Sequence, residues 1–159
     1  MSARISVAML ALFLAITLAA GAVGGWATAG SVTTWYPTLH KPSWNPPPWV
    51  FAPVWTVLYL MMGTAAWLVW RKLGWSRGAA PLGIFAVQLA LNAAWSPLFF
   101  GMRNPAAALV DIVLLWAALA ATIVAFRRAV PLAGALLVPY LIWVSFATAL
   151  NFAIWRLNG

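Results

Sequence analysis

The sequence has no cysteine, one histidine and one acidic residue among its 159 residues. Lack of cysteine excludes a disulfide scaffold, a thiolate metal site and a cysteine nucleophile. A single histidine, His40, and a single carboxyl, Asp111, leave nothing from which to build a hydrolytic triad or a carboxylate dyad, so ordinary acid/base catalysis is not expected and no metal site is foreseen. Charge is equally scarce. Only 6% of residues are charged, too few to cover the surface of a water-soluble globule of this size.

What is abundant is apolar side chain, at 65% of residues with a mean hydropathy of +0.95, together with twelve tryptophans. Crossing ~30 Å of hydrocarbon takes about 20 apolar residues as a helix, the form in which the backbone satisfies its own hydrogen bonds. Five stretches meet that requirement, at approximately 5–26, 47–70, 79–101, 106–126 and 132–155. The expectation is an all-α integral membrane protein, a single five-helix domain over 1–159, held in a lipid bilayer. The first stretch also resembles a secretory signal, with Arg4 before an apolar run that ends in Ala19, Ala20 and Gly21.

A net charge of +8 would suggest nucleic acid in a soluble protein. Here the cations lie between apolar runs and read as membrane-boundary charges, so no nucleic-acid partner is expected. If all five stretches span, Arg4, Arg71, Lys72, Arg77, Arg127 and Arg128 share one side, against Lys41, Arg103 and Arg156 on the other. This bias favours a cytoplasmic N-terminus.

The one long connection, 27–46, is rich in proline and aromatics and should be stiff and partly polyproline. Trp35, Tyr36, Trp44 and Trp49 can settle at the membrane interface; alternatively the loop, with Trp35, His40, Lys41 and Trp44, forms a lid over a pocket between helices. His40 has the chemistry of a haem ligand, but beside Lys41 it reads as a surface or lid residue. Pro46, Pro47 and Pro48 suit the start of the second helix.

In the third stretch Gln88, Asn92 and Ser96 recur every four residues with Trp95 beside them, one polar-aromatic stripe that lipid would not tolerate cheaply. The opposite side carries Gly83, Ala86, Ala90 and Ala94, a small-residue strip for close packing against another helix or a second protomer, with a homodimer favoured. The second stretch aligns Phe51, Trp55, Tyr59 and Met62, and the fifth aligns Tyr140, Trp143, Ala147 and Asn151. Taken singly, such lines are most simply packing; three of them outline a cavity open toward the long loop, with Trp55 and Trp95 roughly 9 to 12 Å in at ~1.5 Å per residue. Pro53, Pro97 and Pro139 can bend these helices. Asp111, inside the fourth stretch, reads as a neutral or hydrogen-bonded tie with Arg103 or an indole as partner, since no second carboxyl or histidine is there to make a proton relay. Gly21 and Gly25 form one GxxxG spacing, which close packing explains.

These residues resemble the translocator protein / tryptophan-rich sensory protein family (TspO/MBR), also called the peripheral benzodiazepine receptor family. The resemblance is carried by Trp35-Tyr36, Lys41-Pro42-Ser43-Trp44-Asn45-Pro46-Pro47, Pro53-Val54-Trp55-Thr56-Val57-Leu58-Tyr59, the run from Leu89 through Asn92 and Trp95 to Gly101, Val110-Asp111, and the run from Pro139 through Trp143 and Ala147 to Asn151. It covers nearly the whole chain and argues against cleavage of the first stretch.

The resemblance implies a five-helix, usually dimeric membrane protein of the bacterial cell envelope or mitochondrial outer membrane. Its bundle would bind tetrapyrroles such as protoporphyrin IX, cholesterol-like lipids, and isoquinoline or benzodiazepine drugs, with no cofactor required. By motif, Asn92 and Trp95 match the family's third-helix pocket pair, Ala147 the small residue that influences drug and sterol binding, and Trp55 and Trp143 the tryptophans implicated in bacterial porphyrin breakdown. One departure bears on sterol: the proposed cholesterol consensus wants Tyr where Phe152 stands between Leu150 and Arg156. Three functions compete. A binding and sensing protein would stack a flat ligand on Phe51, Trp55, Trp95, Tyr140 and Trp143, with Asn92 or Lys41 at a polar edge. An enzyme would degrade porphyrin under light and oxygen through Trp55 and Trp143. A transporter is disfavoured, because five helices do not divide into two equal repeats.

Overall fold

The computed structural model describes residues 3–159, and among them every regular element is helical. The elements are α1 (Ala3–Ala29), α2 (Phe51–Ser96), α3 (Pro105–Ala129), α4 (Pro131–Leu136) and α5 (Val138–Asn158), with 3₁₀ turns at Tyr36–Thr38 and Pro48–Val50 and a π-helical turn at Pro97–Gly101. Four continuous runs are long and apolar enough to cross a membrane: Ala3–Ala29, Pro48–Gly101, Pro105–Ala129 and Pro131–Asn158.

The second of these runs corrects an expectation. The stretches 47–70 and 79–101 are not joined by a loop; they form one helical run of 54 residues interrupted at a single position. A straight helix of that length would reach ~80 Å, more than twice the hydrocarbon thickness. Gly74 prevents this, with φ 69° and ψ −173°, a combination open essentially to glycine alone. The two arms of α2 therefore return side by side, and Tyr59 Oη in the first donates to Asn92 Oδ1 in the second at 2.6 Å.

Prolines set the remaining boundaries. The second arm of α2 widens into the π-helical turn that begins at Pro97, closed by Met102 N donating to Pro97 O at 2.8 Å. Arg103 then takes a positive φ of 51°, and Asn104 caps α3 by accepting from Ala107 N at 3.0 Å, with Pro105 in the first turn, where a missing donor costs little. The stretch expected as one helix over 132–155 is two, α4 and α5, separated at Leu137 just before Pro139, whose ring removes a donor from the ladder.

Close contacts at glycine fix how α1 lies on α2. A Cβ on Gly63 would come within 2.9 Å of Leu14, and one on Gly21 within 2.6 Å of the Tyr59 ring. Thr17 Oγ1 donates to Tyr59 O at 2.8 Å across this contact, and Trp67 Nε1 to Ser6 O at 2.9 Å nearer the other end. Phe85 stacks on Phe126 at 5.6 Å between α2 and α3. The polar stripe turns inward, with Gln88 and Asn92 buried. Gly83, Ala86 and Ala90 are exposed and Ala94 only half-buried, and nothing lies within 4 Å of a Cβ placed on Gly83. The small-residue strip thus packs against no helix of its own chain at that glycine.

Candidate functional site

A cavity of about 600 Å³, within the range typical of small-molecule sites, lies between α1, both arms of α2, α3 and α5. Phe51, Trp55, Asn92, Trp95, Trp143 and Ala147 line it, so six of the seven expected ligand residues meet at one surface. Trp55 stands edge-on to Trp143 at 6.5 Å and 89°, stacks on Tyr59 at 5.6 Å, and Phe51 meets Trp143 edge-on at 5.9 Å. Trp143 Nε1 is buried without a partner among the described residues, so the ring offers carbon and not its N–H to the cavity. On the opposite wall Trp95 stacks on Phe99 at 5.0 Å and donates from Nε1 to Asn151 Oδ1 at 3.0 Å; Asn151 Nδ2 in turn donates to Pro105 O at 2.8 Å.

Tyr140 requires a correction. It is fully buried and does not line the cavity. Its hydroxyl accepts from Asn92 Nδ2 at 2.7 Å and donates to Gln88 Oε1 at 3.0 Å. With Tyr59 donating to Asn92 Oδ1, the amide is held from two sides and retains one N–H and one lone pair for a guest. Tyr140 is a brace behind Asn92 and not a contact, because the three-residue step between them, about 60° short of a full helical turn, puts Trp143 on the cavity and Tyr140 against α2.

Most of the loop residues stand outside the cavity. Of the long connection, Val32 and Tyr36 reach the cavity, whereas Trp35, His40, Lys41 and Trp44 do not line it. Trp35 packs edge-on against Phe99 at 5.7 Å, and Trp44 against Phe146 at 5.7 Å. Lys41 is no rim cation: Nζ donates to Tyr36 O and Leu39 O at 2.9 Å each and sits 4.9 Å over the Tyr36 ring. His40 N donates to Asn158 Oδ1 at 2.9 Å and His40 O accepts from Asn158 Nδ2 at 2.8 Å, a clasp that pins the loop to the end of α5. Ser31 Oγ donates to Phe100 O at 2.7 Å, and Tyr36 Oη to Asn45 Oδ1 at 2.9 Å. Burial pushes the Tyr36 phenol above its ordinary value.

Asp111 is buried with Oδ2 lacking any hydrogen-bond partner among the described residues, so neither Arg103 nor an indole ties that oxygen down. No group of three or more metal-ligating side chains occurs among the described residues.

Sequence reasoning missed one wall. Gly21, Ala22, Gly24, Gly25 and Thr28 of α1 line the cavity, and Ala22 and Gly25 are also exposed on the outside of the bundle, as are Ala52 and Thr56 of α2. The cavity therefore opens sideways between α1 and the first arm of α2. The signal was present in the glycine spacing, which marks the absence of side chains as much as it marks helix contact.

The TspO/MBR family model matches residues 13–156. The chain belongs to the TspO/MBR family. It is 52% identical over 151 residues to the tryptophan-rich protein TspO of Chlorobaculum tepidum, covering 94% of this chain and 95% of that one. It is 49% identical over 138 residues to the human translocator protein, covering 86% and 82%, and 46% identical over 151 residues to the tryptophan-rich sensory protein of Cereibacter sphaeroides, covering 93% and 92%. The chain is thus a TspO/MBR membrane protein.

Proposed function

We propose that this protein binds flat, apolar molecules of the tetrapyrrole class, protoporphyrin IX foremost, in the cavity bounded by Trp55, Trp95 and Trp143. Sterols and isoquinoline or benzodiazepine compounds are further occupants of the same space. The observation that carries the reading is the convergence of three indoles and one braced amide, from three separate helical segments, on one cavity of about 600 Å³. Aromatic walls supply stacking and burial, Asn92 supplies orientation, and a porphyrin's carboxylates stay at the open side because the lining residues include no charged side chain.

In this reading the protein crosses the bilayer five times, α2 crossing twice because it turns back at Gly74. The proline-rich loop closes one end as a lid, and two copies pair through the outward strip of Gly83, Ala86 and Ala90. Binding of protoporphyrin IX is expected to quench tryptophan fluorescence. Unchanged quenching and affinity in a Trp55→Phe, Trp143→Phe double variant would remove these rings from the site.

A second reading, light- and oxygen-dependent porphyrin degradation, is favoured by the edge contact of Trp55 with Trp143 at 6.5 Å, which would let a bound macrocycle exchange an electron with a pair of easily oxidised rings. Following the porphyrin absorption band under illumination tests it. Loss no faster than for free porphyrin in detergent sinks it; faster loss that disappears in the double variant supports it.

A further inference from the structure

Six cations at one end of the molecule take no part in the cavity. Arg4 lies at the start of α1, Arg71 and Lys72 end the first arm of α2, Arg77 begins the second, and Arg127 and Arg128 close α3. Packing brings them to one end of the bundle. Trp67 bonds to the backbone of Ser6, the rings of Phe13, Trp70 and Trp75 cluster at 6.0 to 6.4 Å, and Phe85 stacks on Phe126 just inside the end of α3. All six cations are exposed. The one acidic side chain, Asp111, sits sixteen residues before Arg127 on α3, ~24 Å away along the axis. The C-terminal end of α5 is also remote, clasped to His40 at the opposite end.

Uncompensated like charges at such spacing repel one another and call for anions from outside. Indoles fix the depth at which those anions must be found. Trp67 is covered by the Arg71 guanidinium at 4.7 Å, Trp75 is 58% exposed, and Trp70 Nε1 is buried without an acceptor among the described residues. A tryptophan layer with cations immediately beyond it belongs at the headgroup level of a leaflet, where phosphates are available. Farther along α1, Leu12 and Ile16 are exposed one turn apart on the same side, an apolar track for an acyl chain, which a free phosphate in water could not use.

We propose that this end of the bundle is a docking surface for anionic phospholipid headgroups, with Arg71, Lys72 and Arg77 as its principal contacts. The cations then hold a specific class of lipid as well as orienting the chain during insertion.

The test uses the purified full-length protein in detergent micelles, where insertion direction plays no role. Phosphatidylglycerol and phosphatidylcholine of identical acyl chains are titrated and retained lipid is counted by native mass spectrometry. Phosphatidylglycerol is expected to be retained at least about fivefold over phosphatidylcholine, and the preference to fall as salt rises. An Arg71→Gln, Lys72→Gln, Arg77→Gln variant should lose the preference, while Arg103→Gln, Arg156→Gln at the other end keeps it. Should the triple variant not fold, Arg127→Gln, Arg128→Gln and the salt series on the unaltered chain decide. Equal retention of the two lipids, equal loss in the Arg103, Arg156 variant, or displacement of phosphatidylglycerol by glycerol 3-phosphate at equal concentration would each overturn the proposal.

Discussion

Asn92 illustrates how little freedom a polar residue retains inside this bundle. Its oxygen accepts from Tyr59 and its nitrogen donates to Tyr140, which passes the chain on to Gln88. Tyr140→Phe removes the middle of that chain and leaves buried groups on Asn92 and Gln88 unpaired, at a cost of about 1–3 kcal/mol. The variant should melt earlier and bind porphyrin more weakly, although Tyr140 lies behind the wall; unaltered affinity with lowered stability would restrict it to a structural part. Tyr36 makes a different prediction. Burial raises its phenol above 10.0, so the unfolded chain gives up that proton first. Its contribution to stability is complete below about pH 10 and is lost as pH rises through the folded value. Thermal melts from pH 8 to 11 should show this decline, and Tyr36→Phe should lessen it.

At the level of elements, glycine decides two features. Gly74 occupies a backbone region that side chains avoid, and nothing crowds it, so Gly74→Ala isolates the conformational cost, about 1–3 kcal/mol. Denaturation in graded detergent mixtures measures it; a neutral result would mean that the reversal of α2 does not depend on that residue. Gly21 is the converse, an ordinary helical position pressed against a ring. A methyl there would stand 2.6 Å from Tyr59, which is already gripped by Asn92 and stacked on Trp55. Gly21→Ala should therefore shift the cavity wall and weaken porphyrin binding several-fold in a fluorescence titration, whereas Gly30→Ala, which meets open space, should not.

For the whole molecule, the loop and the end of α5 are joined by the two His40–Asn158 hydrogen bonds. Asn158→Ala frees the loop without touching the cavity, and under the lid reading ligand exchange should quicken while tryptophan quenching at saturation stays the same. Stopped-flow displacement of bound porphyrin measures this, and an unchanged rate would indicate that ligand passes through the side opening between α1 and α2 instead. The two ends of the bundle are also chemically distinct, one carrying the aromatic and proline-rich loop, the other six exposed cations.

Membrane residence, helicity and the inward turn of Gln88, Asn92 and Trp95 were legible in the amino-acid order, because lipid forces each span to satisfy its own backbone and to hide polar side chains, and both demands leave periodic marks. So were Trp55, Trp143 and Ala147, whose helical spacing put them on the inward faces that meet at the cavity. What only the tertiary structure decided were matters of approach between distant segments. The single-residue reversal at Gly74, the glycine wall of α1, the withdrawal of Tyr140 behind Asn92 and the unpartnered Asp111 oxygen each depend on which neighbour comes within a few ångströms. Periodicity within one helix records which side faces inward, but not the depth or the identity of what it meets there.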